Sequence, residues 1–243
     1  MRWTTLGSFG PYPPAGGACS GYLVESGSTQ VLVDCGPGVF SRYLARYGTR
    51  LPDAVILSHY HGDHFGDMLV VRYAVYTWML LSKRDEPLLV YAPEPPGHEE
   101  EMILYKDAVS VRRIVDGAEV RVGNLSFDFL RTEHSIPALA IRARDGGSVI
   151  VYSGDTGPDE RITRFAQGAD LFVCEAALGP VREDEMLWHM TAEEAAQAAA
   201  SAGASRLLLT HMFPLHEPDD LVKAAKKFFD NTDFAYEGRT VEV

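Results

Sequence analysis

The sequence predicts an α/β protein whose chemistry gathers at the ends of its strands. Three observations carry this. Short runs of branched apolar residues alternate with helical patterns along all 243 residues, with no long linker, low-complexity tract or repeat, so residues 1–243 read as one domain. Hydrophobic residues make up 46% of the chain and charged residues 23%, the balance of a globular protein with a sizeable core. Four of the apolar runs end directly on residues that bind metals.

The elements follow in order. Residues 2–9 and 20–34 read as short strands joined by the Gly/Pro-rich loop Gly10 to Gly17. The apolar run Gln30-Val31-Leu32-Val33 ends in Asp34 and a turn at Gly36. A helix is expected over 38–47, stopped at Gly48. Pro52 leads into Ala54-Val55-Ile56-Leu57, a buried strand. Residues 66–82 carry apolar side chains with few breaks and predict a long, largely buried helix. Its Tyr73, Tyr76 and Trp78 either line a pocket or, the commoner outcome, belong to the core.

A strand over 88–92 and a Pro-rich turn precede a helix over 98–108, where His98 stands among glutamates as a solvated residue. The stretch 109–153 is strand-rich (109–115, 118–122, 125–130, 138–143 and 148–152), with Asp145-Gly146-Gly147 marking a hairpin. A helix over 158–167 leads to a strand over 170–174. Thr191 then caps a helix over 192–202, with Glu193 and Glu194 in its first turn and Gly203 as its stop. A strand over 206–209, a helix over 218–229 and a final strand complete the chain.

The formal charge of −12 argues against a long polyanion as partner, since phosphate neutralisation along nucleic acid needs a basic stripe. The only basic clusters are small: Arg112-Arg113, and Lys223 with Lys226-Lys227 on what reads as a solvated helix face. Small anionic substrates remain acceptable, because two dications would add about four positive charges. No run of about eighteen apolar residues is present, so no membrane span is expected. Met1-Arg2-Trp3-Thr4-Thr5 lacks the regions of a secretory signal, which makes the cytoplasm the expected compartment. Cys19, Cys35 and Cys174 show no CxxC spacing, so no zinc knuckle or dithiol pair is suggested, and Cys35 and Cys174, in apolar strand runs, read as buried reduced thiols.

The most informative stretch is His59-Tyr60-His61-Gly62-Asp63-His64, just past the strand 54–57. Residues two apart in extended chain point the same way, so His59 and His61 face one point. Gly62 is expected to let the chain fold sharply and bring Asp63 and His64 to a neighbouring point. On its own the hexapeptide reads as one metal site or two. Three further apolar strands end in the same kind of residue: Phe127 to Leu130 before His134, Val149 to Tyr152 before Ser153-Gly154-Asp155-Thr156, and Leu207 to Leu209 before Thr210-His211. Open sheets collect their sites at such strand ends.

The order HxHxDH, then His, then Gly-Asp-Thr, then Thr-His resembles the metallo-β-lactamase-fold hydrolases, and the likeness runs from Val33-Asp34-Cys35-Gly36 to His211. Phe172-Val173-Cys174-Glu175-Ala176 and Trp188-His189-Met190-Thr191 are similar to the acid and the His-x-Thr of the ribonuclease Z-like phosphodiesterases within that superfamily. The resemblance implies a four-layer αββα sandwich, with two mixed sheets flanked by helices and two divalent ions at one edge. It implies that His59, His61 and His134 hold one ion, that Asp63, His64 and His211 hold the other, and that Asp155 bridges them. His/Asp donors suit zinc best, and manganese and iron accept the same set.

The implied chemistry is attack by a metal-bridging hydroxide, with His189 as general acid oriented by Glu175. Asp34 is expected either to accept from a ligand imidazole or to be a plain turn carboxylate. A homodimer is implied as well. Three departures narrow the reading. Only 135–153 separates His134 from Gly154, which leaves no room for the tRNA-gripping arm of ribonuclease Z. Asp155 stands where the true β-lactamases use cysteine, and His61 where the flavodiiron relatives use glutamate. The expected activity is therefore cleavage of a small phosphodiester, such as a cyclic nucleotide or cyclic phosphate, with Tyr60, Phe65, Trp78 and Phe213 available to stack on a base. A lactonase or thioesterase on the same two ions is the alternative reading. A tRNA 3′-processing endoribonuclease and a non-catalytic metal-binding protein are weaker ones.

Overall fold

Two seven-stranded sheets, one built from each half of the chain except that the last strand joins the first sheet, share a single apolar interface. The computed structural model describes residues 1–180 and 188–243. The first half runs β1 (Arg2–Gly7), β2 (Gly21–Ser26), β3 (Thr29–Val33), α1 (Val39–Tyr47), β4 (Ala54–Ile56), α2 (Gly62–Phe65), α3 (Met68–Leu80), β5 (Leu88–Ala92), α4 (Glu99–Ile103) and β6 (Val109–Arg113). The second half runs β7 (Glu119–Val122), β8 (Leu125–Arg131), β9 (Leu139–Asp145), β10 (Ser148–Tyr152), α5 (Glu160–Phe165), β11 (Leu171–Glu175), α6 (Ala192–Ala202), β12 (Leu207–Thr210), α7 (Pro218–Ala225), β13 (Thr232–Phe234) and β14 (Thr240–Glu242). The strand orders are β14-β1-β2-β3-β4-β5-β6 and β13-β12-β11-β10-β9-β8-β7.

Alternation along the strands explains the layering. In β3, Val31 and Val33 face the other sheet, where they join Trp3, Tyr22, Ile56, Phe127, Ile150 and Tyr152; Leu32 faces the opposite way. Outside the first sheet Leu32, Val55 and Val90 pack on Val39 and Tyr43 of α1 and on Met68, Val71 and Val75 of α3. Outside the second, Phe172, Leu207 and Leu209 pack on Ile162, Leu221 and the alanine face of α6. Both faces of the central strands are thus covered, which is why they read as unbroken apolar runs. The result is the expected αββα sandwich.

Register then decides where function sits. β3 runs parallel to β4, β4 to β5, β10 to β11 and β11 to β12. The C-terminal ends of β3, β4, β10, β11 and β12 therefore open on one edge of the sandwich, the place where such sheets bind ligands.

Several expectations need adjusting. α3 buries only Met68, Val71 and Val75, while Val70, Tyr73 and Leu80 are exposed, because the helix covers the sheet on one side and has no layer above it. α4 and α7 are shorter than predicted, and the chain closes with two strands: β13 extends the second sheet and β14 the first. The hairpin at Asp145 forms as expected, with Gly146 at φ +59°. Thr191 and Glu194 make a reciprocal capping box on α6. The three cysteines are free and buried. No helix among the described residues is long and apolar enough to cross a membrane.

Candidate metal centre

The loop after β4 stays extended through His61, whose φ of −72° and ψ of 145° precede the single helical turn of α2. That turn, and no special backbone at Gly62, reverses the chain. Gly62 lies in the helix, and a Cβ there would meet open space. The expected glycine hinge is thus a helix start. Its effect is the predicted one: His59 and His61 face one point, and Asp63 and His64 another.

At the first point His61 Nδ1 lies 3.1 Å from His59 Nε2 and 3.0 Å from His134 Nε2. Nitrogens held at about 2.0–2.1 Å by one tetrahedral ion would sit roughly 3.3 Å apart. Outward partners fix which atoms face inward. Ser58 Oγ donates to Asp34 and so accepts from His59 Nδ1 at 3.0 Å, while His134 Nδ1 donates to the Trp188 carbonyl at 3.3 Å. Burial, joined by neighbouring imidazoles, holds His59 well below its ordinary range, and burial also lowers His61 and His134. Neutral imidazoles with converging lone pairs are the form that binds a cation.

At the second point His211 Nε2 lies 3.1 Å from Asp63 Oδ2, and His64 Nε2 lies 3.7 Å from the same oxygen. Asp155 stands between the two groups. Its Oδ2 is 3.3 Å from His211, 3.7 Å from His59 and 3.8 Å from His134, and its Oδ1 is 3.3 Å from His64. Both His64 Nε2 and Asp155 Oδ1 are buried, yet neither makes a hydrogen bond. Two orphaned polar atoms side by side are costly unless they turn to a third body, and a dication fits that description. Burial opposes charge here, but Asp155 and Asp63 raise both His64 and His211, and the two histidines hold Asp63 down at about 2. The same negative charge would hold a metal. Three overlapping donor groups could hold an ion: His59, His61, His134 and Asp155; beside them Asp63, His64 and His211; and Asp155 and His211 with His189, whose Nδ1 is taken up by Glu175.

Of the two readings of Asp34, the geometry is that of an acceptor from a site imidazole, and it is joined by two residues that the sequence did not single out, Ser58 and Tyr152. Asp34 is buried at φ +57° and accepts from Ser58 N, Ser58 Oγ, His64 Nδ1 and Tyr152 OH, at 2.7, 2.8, 2.8 and 3.0 Å. Its carboxylate fixes the His64 tautomer so that Nε2 faces the site. Ser58 and Tyr152 read in sequence as ordinary strand-end residues, and nothing local marks them. His211 also has a left-handed backbone, at φ +54°. Strain at two non-glycine residues of one site is the pattern expected where geometry serves function.

Gly10 packs on the His211 ring, where a Cβ would fall 2.1 Å from Nε2. Gly10→Ala should therefore push His211 aside and weaken cation binding at the second point by about 10–100-fold, read by competition with a zinc chelator. Unchanged affinity would mean that the ring has room to yield.

Glu175 is fully buried at the end of β11, where Thr156 N, Met190 N and Ala177 N donate to it at 2.7, 3.2 and 3.3 Å. His189 Nδ1 lies 2.9 Å from Glu175 Oε1, so the carboxylate accepts from it. Burial opposes protonation of His189, but Glu175 outweighs it and the imidazole is raised to about 9. Its ring stacks at 11° on His211, 5.6 Å away.

The seven predicted donors, with His189 and Glu175, are brought together at one edge, and a cavity of about 690 Å³ opens over them, lined by His61, Asp63, Asp155, His189 and His211. Of the four aromatics proposed to stack on a base, only Phe213 lines it. Tyr60 and Phe65 are buried in the core that the first sheet forms with α1 and α3, and Trp78, on α3 itself, packs against that core. Tyr12, which the sequence did not bring forward, lines the cavity instead.

Comparison with known proteins gives the family of the chain. A model of the beta-lactamase superfamily domain matches residues 29–212. The chain is 32% identical over 244 residues to the probable metallo-hydrolase YhfI of Bacillus subtilis, covering 98% of this chain and 100% of that one. The crystal structure of YhfI superposes with a TM-score of 0.95 over 100% of this chain and 99% of the other. Ribonuclease Z of Archaeoglobus fulgidus is 26% identical over 307 residues, covering 100% of this chain and 98% of the relative. A diphosphatase from the PhnP family shares the fold, with a TM-score of 0.76 at 18% identity over 100% and 97% of the two chains. The chain belongs to the beta-lactamase superfamily, as a metallo-hydrolase of the branch that includes ribonuclease Z.

Proposed function

We propose that the protein is a two-metal phosphodiesterase acting on a small anionic phosphodiester, such as a cyclic nucleotide or cyclic phosphate. The observation that carries this is the His189–Glu175 pair beside the donor floor, at 2.9 Å and fully backed by the core. His59, His61 and His134 would hold one ion and Asp63, His64 and His211 a second, with Asp155 within reach of both; zinc suits these donors best. Two such ions supply a nucleophile at neutral pH and neutralise charge on the phosphoryl oxygens.

The chain's own residues do the rest. Asp34 and Ser58 hold His64 and His59 in the tautomers that face the site. Glu175 keeps His189 protonated, and His189 gives its proton to the departing alkoxide, which is too basic to leave unaided. Asp63 supplies negative charge at the second point and completes its donor set with His64 and His211. A net charge of −12 and the short β9–β10 hairpin, in place of a gripping arm, favour a small substrate over long nucleic acid.

Metal analysis and a substrate panel on one preparation test this. Two ions per chain are expected, with turnover of bis-p-nitrophenyl phosphate and cyclic nucleotides and none of acyl-lactones, thioesters or a chromogenic cephalosporin. Lactone or thioester turnover with inert phosphodiesters would replace this reading. Less than one ion per chain, in protein prepared without chelator, would remove its basis.

A further inference from the structure

The mouth of the site carries an apolar wall that the chemistry above does not use. Gly10 lies against the His211 ring, so the loop that follows begins at the donor floor itself. Pro11, Tyr12 and Pro13 then form one side of the 690 Å³ cavity, and Phe213 lies on the same lining. Tyr12 is 50% exposed and belongs to none of the three apolar cores. A proline on each side fixes much of the backbone that presents it. Phe213 has the His216 ring lying parallel to it, at 7° and 6.2 Å. The cavity has the size of a small-molecule site.

The loop is fastened from outside. Ala18 N donates to Glu237 Oε1 at 2.6 Å, and Glu237 Oε2 accepts from Arg42 Nε at 2.8 Å. The same guanidinium donates to the Gly38 carbonyl at 3.1 Å and to the Gly16 carbonyl. Within the loop, Gly17 N donates to the Pro14 carbonyl at 2.9 Å. One half-buried ion pair thus ties α1, the segment before β14 and the loop together, and the wall is set before any ligand arrives.

We infer that Tyr12, with Phe213, is the subsite for the planar base of a nucleotide-type substrate, and that the Arg42–Glu237 pair positions that wall. The inference deepens the phosphodiesterase reading and rests on it for the phosphoryl group's place on the floor. A phosphoryl held there would carry its base one sugar away, inside the cavity that Tyr12 and Phe213 line. An aromatic face accepts any base, so the subsite selects nucleotides as a class without reading their identity.

Calorimetric binding of two phosphomonoesters to the zinc-loaded protein tests it: adenosine 5′-monophosphate against ribose 5-phosphate, which lacks the base. The wild type should bind the nucleotide about 10–100-fold more tightly. Tyr12→Ala should bring the two to near parity by weakening only the nucleotide, while Tyr12→Phe keeps the preference. Glu237→Gln, which leaves the cavity lining intact, should lose part of it with zinc content unchanged. A full preference in Tyr12→Ala would overturn the subsite, and a full preference in Glu237→Gln would overturn the positioning role. Neither ligand is a diester, so these outcomes stand apart from the hydrolysis panel: inert phosphodiesters would sink the activity and leave the base preference measurable.

Discussion

Replacing Asp155 by alanine should cost the protein more than any other single change at the site. Its two oxygens reach His64, His211, His59 and His134 at 3.3 to 3.8 Å, so one carboxylate serves both donor groups. The residue is 2% exposed and held well below the ordinary carboxylate range: burial opposes its charge, but His211, His64 and His59 outweigh it. Without it, the five imidazoles of the two donor groups face one another with a single acid, Asp63, among them. Zinc should fall below one ion per chain, and turnover of bis-p-nitrophenyl phosphate should drop roughly 10³-fold or more, since the ions supply several kcal/mol of transition-state stabilisation. Asp155→Asn, which keeps the shape and removes the charge, separates metal loss from misfolding: its near-ultraviolet circular dichroism should match the parent's while its zinc content does not. Two tightly held ions and turnover within tenfold of the parent in Asp155→Ala would place the link between the ions elsewhere.

His189→Ala should behave in the opposite way, keeping both ions and losing turnover by about 10²–10⁴-fold. The loss should be larger for an alkyl alcohol leaving group than for p-nitrophenolate, which departs without a proton. Equal losses for both would remove His189 as proton donor. Glu175→Gln supplies the pH readout. Glu175 raises His189 to about 9, and a proton donor fails as pH climbs past its pKa. Neutralising the carboxylate lowers that pKa, so the alkaline limb of kcat should move to lower pH. A limb that stays in place would mean that some other group titrates there.

Much of this was legible before the fold was known, because the hexapeptide and the strand-end residues are local patterns. Apolar runs ending in His134, Asp155 and His211 announce strands that deliver donors, whatever the sheet order. The αββα arrangement itself came from the likeness of those motifs to a known family. Some details were misjudged for want of an environment. Tyr60, Phe65 and Trp78 have the composition of a stacking wall and the location of a core. Gly62 has the look of a hinge and the backbone of a helix start.

By itself, then, the sequence determined which atoms are available: three imidazoles and an acid within six residues, three more donors at strand ends, and an acid and a histidine flanking the segment before α6. Tertiary structure alone decided how they combine. Parallel register brought five strand ends to one edge. Asp34 and Ser58 selected which imidazole nitrogens face inward. Glu175 met a histidine fourteen residues away and changed its proton affinity. A glycine at position 10 made room for His211 and put Tyr12 at the mouth. The physical reason is common to all four. Donor identity is a property of a residue, whereas tautomer, protonation and access are set by neighbours within a few ångströms, most of which are distant along the chain.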